Sequence, residues 1–266
     1  MYTDEFPEEG HRALDLRKIP KQRVEYVLPT KGKDYTQSDA RFVDTWTKLS
    51  VFGVSGYERL VLLDADMIVR KNMDELMNFP LDDASMKAEG NRVFAASHAC
   101  ACNPLKKSHY PKTWLPENCA FTSQHGDPEK AQVEGAPSST GVSMLNSGLL
   151  VVVPSSEVHA KITEAMLDDG ISEYIFPDQE LLSVAFKGRW APLPYIYNAL
   201  KTLRKEDVHG AIWRDDKVKN VHYILSPKPW DSKREDVTEE TVRWWWAIND
   251  ERIAEERKNG VEDSFQ

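Results

Sequence analysis

The sequence predicts an α/β fold organised around an open sheet. Three observations carry this expectation. Residues 60–66 read Leu-Val-Leu-Leu-Asp-Ala-Asp, a short apolar run that stops on two carboxylates. Such a run fits a strand buried on both faces of a parallel sheet better than it fits a helix segment. Further apolar runs at 93–97, 142–153 and 218–225 alternate with stretches of helical spacing, the pattern of strands covered by helices. At 266 residues the chain is long enough for one large α/β domain or two small ones with a substantial core.

Each element follows from its local pattern. Residues 24–28, Val-Glu-Tyr-Val-Leu before Pro29, read as a strand, and residues 30–40 as a polar loop. Phe42, Trp46, Leu49 and Phe52 recur at helical spacing, which predicts an amphipathic helix over 39–54, ended by Gly53 and Gly56. The 60–66 strand follows, then a short helix over 72–77 and a strand from Val93. Residues 98–140 hold five prolines, two glycines and no sustained period, so they are expected to form a long structured excursion. Order returns with a strand over 142–153, kinked at Gly148, and a helix over 157–167. Pro177-Asp-Gln-Glu opens another helix, with proline in its first turn and acids near its positive end. Residues 190–198 are extended and broken by prolines, and 218–225 form a last strand. Asp236-x-x-Glu239 resembles a capping box, and Val242, Trp245, Trp246, Asn249 and Ile253 trace a C-terminal helix with a charged, frayed tail.

Composition narrows the function classes. With 43 acidic against 34 basic residues the formal net charge is −9, which argues against a general nucleic-acid or anionic-membrane surface. No 18-residue apolar window exists, so no membrane span is expected. The first residues lack the basic and apolar regions of a signal peptide. Three cysteines make no disulfide framework, and a cytoplasmic location is expected. Cys100, Cys102 and Cys119 all fall in the excursion; C-x-C with one distant Cys is not a usual zinc-finger spacing, and buried thiols without a metal are the expectation.

Asp64 and Asp66 end a strand, where open α/β sheets place their ligands. Two hard oxygen donors meeting there suit Mg²⁺ or Mn²⁺ holding a substrate's phosphates. Taken alone, paired acids after a strand are more often a solvated loop. Three further groups sit at strand ends or helix starts: Asn146-Ser147-Gly148, Asp178-Gln179, and His222 with Lys228. Each alone has an ordinary structural reading as a bulge, a helix start, a core histidine or a turn charge.

In this order, over about residues 1–235, these elements resemble glycosyltransferase family 8, the group that includes glycogenin, galactinol synthases and bacterial lipopolysaccharide hexosyltransferases. The similarity is greatest to the glycogenin-like and galactinol-synthase-like eukaryotic members, fungal ones in particular. The carriers are Thr47-Lys48-Leu49, Leu62-Leu-Asp-Ala-Asp-Met67 with Asn72-Met-Asp-Glu-Leu76, Asn146-Ser-Gly148, Asp178-Gln179, Leu193-Pro-Tyr-Ile-Tyr-Asn198, and His222-Tyr223 followed by Lys228-Pro-Trp230. The resemblance implies a single GT-A-type nucleotide-sugar-binding domain over 1–235, a Rossmann-like mixed sheet flanked by helices, with residues 236–266 as an added helix and tail. It implies a metal-dependent retaining transfer of glucose or galactose from a UDP-sugar to an acceptor hydroxyl on a carbohydrate, polyol or protein. Asp64, Asp66 and His222 would bind Mn²⁺, or alternatively Mg²⁺. Lys48, Asp64, Ala65, Asn146, Ser147, Gly148 and Lys228 would contact the donor or substrate, with Lys228 on the diphosphate. Asp178 and Gln179 are the catalytic candidates. A homodimer is among the assemblies it allows.

Two departures from the family pattern stand out. Met1-Tyr-Thr-Asp matches the family's second strand, so a first strand and helix of about forty residues are expected to be missing, which implies an N-terminally truncated domain. The tyrosine that glycogenins glucosylate has Lys205 in its place, so self-priming in that manner is not expected. The alternative function is therefore a catalytically weak or inactive relative that binds sugar nucleotide or a partner. A metal-dependent phosphohydrolase or nucleotidyltransferase would also use paired aspartates but would not need the Asn-Ser-Gly and Lys-Pro-Trp elements.

Overall fold

A computed structural model describes residues 1–31, 42, 44–88 and 90–265. The polar loop expected at 30–40 and the first turn of the helix expected from residue 39 lie almost wholly outside these residues. Packing divides the chain into two compact units, residues 28–224 and residues 1–27 with 225–266. The C-terminal helix expected as an addition from residue 236 belongs to the second.

The larger unit holds two sheets. The first has the order β1-β4-β3-β5, from β1 (Leu60–Leu63), β4 (Leu145–Val152), β3 (Phe94–His98) and β5 (Trp190–Pro192). The second has the order β2-β7-β6, from β2 (Met67–Val69), β7 (Asn220–His222) and β6 (Ala199–Leu200). Both sheets are mixed. β4 runs antiparallel to β1 and β3, whereas β3 is parallel to β5. β7 is antiparallel to β2 and parallel to β6. The central strands β3 and β4 are almost wholly buried, and Leu149 and Val151 of β4 pack with Ala95, Ala191, Leu193 and Leu76. On the other side α2 (Ser156–Ala165) and α3 (Pro177–Ala185) pack on each other and on the segment Thr45–Gly53. The Ser155 hydroxyl caps α2 by accepting from the Val158 N–H at 3.3 Å.

Before residue 64, three elements differ from the sequence expectation. β1 is an edge strand in an antiparallel pair and only half-buried, so an apolar run did not mean a doubly buried parallel strand. Residues 24–28 form no strand; a single bridge joins Tyr2 to Arg23. The segment Thr45–Gly53 is a 3₁₀ helix, not an α-helix. Among its buried residues, which also include Thr47 and Val51, the large Trp46, Leu49 and Phe52 are spaced by three, one turn of a 3₁₀ helix, so that winding sets these three on one side.

The excursion over 98–140 carries only three short 3₁₀ turns, Pro116–Asn118, Thr122–Gln124 and Lys130–Gln132. It is nonetheless anchored: His98 Nε2 lies 2.9 Å from the Ala136 carbonyl, and Gln132 donates to the Ile212 carbonyl at 2.7 Å.

In the smaller unit, α1 (Glu8–Leu16) and α4 (Glu240–Lys258) are tied through Arg17, which donates to Glu256 at 2.8 Å and to Asp263 at 2.5 Å. The tail is therefore held rather than frayed at Asp263, and Val261 is buried. α4 starts at Glu240 with Glu239 as its N-cap residue, three positions later than a capping box at Asp236 implies, and the Glu239 side chain makes no cap hydrogen bond.

Candidate active site

The Asp64-Ala65-Asp66 segment is the crossing between the two sheets of the larger unit. β1 ends at Leu63 in one sheet and β2 begins at Met67 in the other. The three residues form a turn rather than continued strand, and Ala65 points outward and is exposed. The Asp64 N–H still donates to the Gly148 carbonyl at 2.8 Å, which fixes where the turn begins. In the second sheet Met67 pairs with His222, and the Tyr223 N–H donates to the Asp66 carbonyl at 2.8 Å. This register sets the His222 imidazole beside the Asp66 carboxylate, with Nε2 3.1 Å from Oδ1. One ligand atom from each of Asp64, Asp66 and His222 lies within 4.8 Å of the other two. The sequence placed these three together, and the structure does so.

The Asn146-Ser147-Gly148 element is a bulge. Along β3 the register jumps between Ala96, paired with Leu150, and Ser97, paired with Asn146. The extra residues bend β4 and turn Asn146 toward the site, a usual service of a bulge. From Asn146 a chain of hydrogen bonds runs to the histidine. The Gly148 N–H donates to Asn146 Oδ1 at 3.1 Å, and Asn198 Nδ2 donates to the same oxygen at 2.8 Å. Asn198 then offers Oδ1 to His222 Nδ1 at 2.9 Å. A backbone N–H can only donate, so it fixes which end of each amide faces which way. The chain therefore requires the proton on Nδ1 and leaves Nε2 as a lone pair in the neutral ring. At its other end, Asn146 Nδ2 donates to Gln179 Oε1 at 3.2 Å.

Lys48 and Asp178 complete the site. The Lys48 ammonium lies 2.8 Å from Asp178 Oδ2 and 3.1 Å from Asp64 Oδ1. The Asp178 contact is an ion pair and not a well-angled hydrogen bond, since that oxygen is buried and has no hydrogen-bond donor among the described residues. Burial opposes the charge on Lys48, but Asp178 and then Asp64 outweigh it and hold the ammonium above the usual lysine range. Ser147 and Gln179 are buried at 5% and 7% exposure. Gln179 sits in the first turn of α3, where Ser183 donates to its backbone carbonyl at 2.8 Å.

These residues fit a divalent cation. A neutral His222 would aim the Nε2 lone pair at a carboxylate oxygen 3.1 Å away, and two acceptors in that position need a cation or a proton between them. Asp64 and Asp66 add hard oxygen donors, and a mixed oxygen and nitrogen set suits Mn²⁺.

Lys228 belongs to the smaller unit. It precedes the 3₁₀ turn Pro229–Asp231, and its backbone N–H donates to Asp231 Oδ2 at 2.8 Å. The Trp230 ring lies 5.7 Å from that of Trp245.

Sequence reasoning quoted Asn198 as part of a motif but gave it no role, and it did not foresee the Lys48–Asp178 pair. Asn198 is 0% exposed. An asparagine at the end of an extended, proline-broken stretch is an ambiguous signal until its partner is known.

Comparisons with known proteins bear on the family and the fold. The chain is 27% identical over 214 residues to uncharacterized protein R707 of Acanthamoeba polyphaga mimivirus, covering 77% of this chain and 63% of that one. It is 27% identical over 265 residues to galactinol synthase 4 of Arabidopsis thaliana, covering 93% of this chain and 70% of the relative. Among solved structures, two of the galactosyltransferase LgtC align over 92% and 91% of this chain and 81% and 80% of theirs. Their TM-scores are 0.54 and 0.52 at 14% and 16% identity. The fold is therefore the GT-A type that the motifs implied. The sequence profile of Glycosyl transferase family 8 matches residues 2–234. That span contains every residue of the candidate site, and the chain belongs to glycosyl transferase family 8.

Proposed function

We propose that the chain is a metal-dependent retaining hexosyltransferase that moves glucose or galactose from a UDP-sugar to an acceptor hydroxyl. Family membership supports sugar transfer as the reaction class. The observation that carries the finer reading is the meeting of Asp64, Asp66 and His222 Nε2 within reach of one cation. In the reaction the bond from the anomeric carbon to the diphosphate oxygen breaks, a bond to the acceptor oxygen forms, and the acceptor hydroxyl loses its proton. A divalent cation held by Asp64, Asp66 and His222 would neutralise charge growing on the departing diphosphate.

The protein's own groups would divide the rest. Asn198 and Asn146 hold the His222 ring in one tautomer and one orientation, as outer partners of a ligating histidine usually do. Lys48 lies against Asp64 on one side and Asp178 on the other, so a positive charge is fixed next to the cation site. Asp178 and Gln179, at the start of α3, would stabilise positive charge on the sugar ring as the leaving group departs. Asn146, Ser147 and Gly148 would face the sugar, and Lys228 the diphosphate. The acceptor is a hydroxyl of a carbohydrate, polyol or protein, and the site is expected in a cytoplasmic enzyme.

The test is UDP release from a panel of UDP-sugars, with and without Mn²⁺, by the wild-type chain and Asp66→Asn. UDP release that requires Mn²⁺ and is lost in Asp66→Asn supports the reading. Equal release without metal, or by the variant, overturns it. UDP or UDP-sugar binding in Mn²⁺ without any turnover favours the alternative of an inactive relative.

A further inference from the structure

The excursion over 98–140 holds a second cluster that the sugar-transfer reading does not use. Cys100 and Cys102 follow β3 directly, and Cys119 closes the 3₁₀ turn Pro116–Asn118. His209 joins them from 90 residues beyond Cys119. His209 Nε2 lies 3.2 Å from Cys102 Sγ and 3.4 Å from Cys119 Sγ. One ligand atom from each of the four residues lies within 4.8 Å of the other three. Cys100, Cys119 and His209 are buried, Cys102 is half-buried, and no disulfide joins any pair.

We infer that Cys100, Cys102, Cys119 and His209 form a structural zinc site that staples the excursion to the segment after β6. Three arguments meet on this assignment. The first is geometric. Tetrahedral zinc with Zn–S of about 2.3 Å and Zn–N of about 2.0–2.1 Å sets sulfur and nitrogen about 3.5 Å apart and sulfurs about 3.8 Å apart. Both observed N···S distances lie near that edge.

The second is donor chemistry. Thiolate and imidazole ligands select zinc over the hard cations that suit Asp64 and Asp66. The protein supplies all four positions, which is the form of a structural site rather than a catalytic one. The two metal sites would therefore sort different ions.

The third is the surrounding shell. His209 Nδ1 lies 2.9 Å from His125 Nε2. With Nε2 given to the metal, Nδ1 carries the hydrogen and donates to His125, the outer contact that fixes a ligating histidine. The Phe121 ring stands edge-on to His209 at 5.5 Å and covers it. Without a metal, a fully buried Nε2 would have only weak sulfur partners.

The spacing of the cysteines predicted plain buried thiols, because it matches no finger pattern. His209 changes that assessment, and nothing in the sequence near Cys119 points to it. The site also accounts for how a segment with three short 3₁₀ turns is held. Zinc would join the end of β3, the middle of the excursion and residue 209, close to the Gln132–Ile212 contact.

The experiment measures metal content of the full chain purified without chelators, by plasma mass spectrometry and native mass spectrometry. About one zinc per chain is expected in the wild type and equally in Asp66→Asn, and about a tenfold loss in Cys102→Ser and His209→Ala. Cys102 is the half-buried ligand, so its serine variant is the one most able to fold. As a check independent of any variant, the chain loaded with Co²⁺ should give the visible bands of tetrahedral cobalt and sulfur-to-metal charge transfer. Native thiols should react slowly with a thiol reagent and at least tenfold faster after chelation. A wild-type chain without zinc and with thiols equally reactive before and after chelation would overturn the inference. So would zinc that is lost in Asp66→Asn but kept in Cys102→Ser. The outcome is independent of sugar transfer, because Asp66→Asn separates the two sites.

Discussion

Replacing Gly148 by alanine isolates the packing that aims His222. A Cβ at this position would lie 2.4 Å from His222 Cε1, 2.8 Å from Nδ1 and 2.9 Å from Met67 Cε. The Met67 methyl is the end of a flexible chain and can swing away. The imidazole cannot do so freely, because Asn198 holds Nδ1 and β7 holds the backbone. A shift large enough to reach ordinary contact would break the Asn198 bond or carry Nε2 away from Asp66. Overpacking of this kind costs about 1–3 kcal/mol of stability. Misaiming a metal ligand through its outer partners costs about 10–100-fold in metal affinity. The assay pairs Mn²⁺ titration followed by electron paramagnetic resonance with chemical denaturation. Truncating the ring removes the clash, so adding Gly148→Ala to His222→Ala should cost almost nothing further in stability. Wild-type Mn²⁺ affinity and stability in Gly148→Ala, or an undiminished cost in the His222→Ala background, would refute the reasoning.

Three further predictions follow from the same contacts. Lys48→Met leaves Asp178, with a side chain 5% exposed, without its cation; urea denaturation should register a loss of about 3 kcal/mol, the low end for a broken buried pair because Lys48 is 18% exposed. Lys228→Ala should weaken UDP binding in Mn²⁺ by about 1.5–3 kcal/mol, the worth of a hydrogen bond to a charged group, and unchanged affinity by calorimetry would remove the lysine from the diphosphate. In the smaller unit, hydrogen bonds from Arg17 hold the Glu256 carboxyl below its usual range; a lowered carboxyl contributes stability above its unfolded pKa of about 4.3 and loses it as the pH falls through the folded value. Arg17→Gln should therefore destabilise the protein at pH 7 and much less at pH 3, and an equal cost at both pH values in thermal melts would contradict this.

Much of the site was legible because its chemistry sits at element ends. The apolar run before Asp64, the proline before Asp178 and the short run before His222 each mark where a strand stops or a helix starts, and the fold brings those ends together. Gly148 and Asn146 were legible as a bend, and the register shift opposite Ala96 and Ser97 is that bend. What the sequence did not carry is partner identity. Nothing in Leu60–Leu63 distinguishes an antiparallel edge from a parallel centre, since an edge strand covered on one side is just as apolar. The winding of Thr45–Gly53 depended on whether Trp46, Leu49 and Phe52 all had to reach one core, which only packing decides. His209 and Asn198 act through residues far away in sequence. A lone histidine or asparagine has no period to reveal it.

The most direct test of the central claim is Mn²⁺ affinity in the presence of UDP, measured by electron paramagnetic resonance for Asp64→Asn, Asp66→Asn and His222→Ala. If the three residues hold one cation against the diphosphate, each variant loses at least tenfold in Mn²⁺ affinity, and the gain that UDP gives the wild type disappears in all three. Any one of the three variants that binds Mn²⁺ and UDP as the wild type does would contradict a shared site.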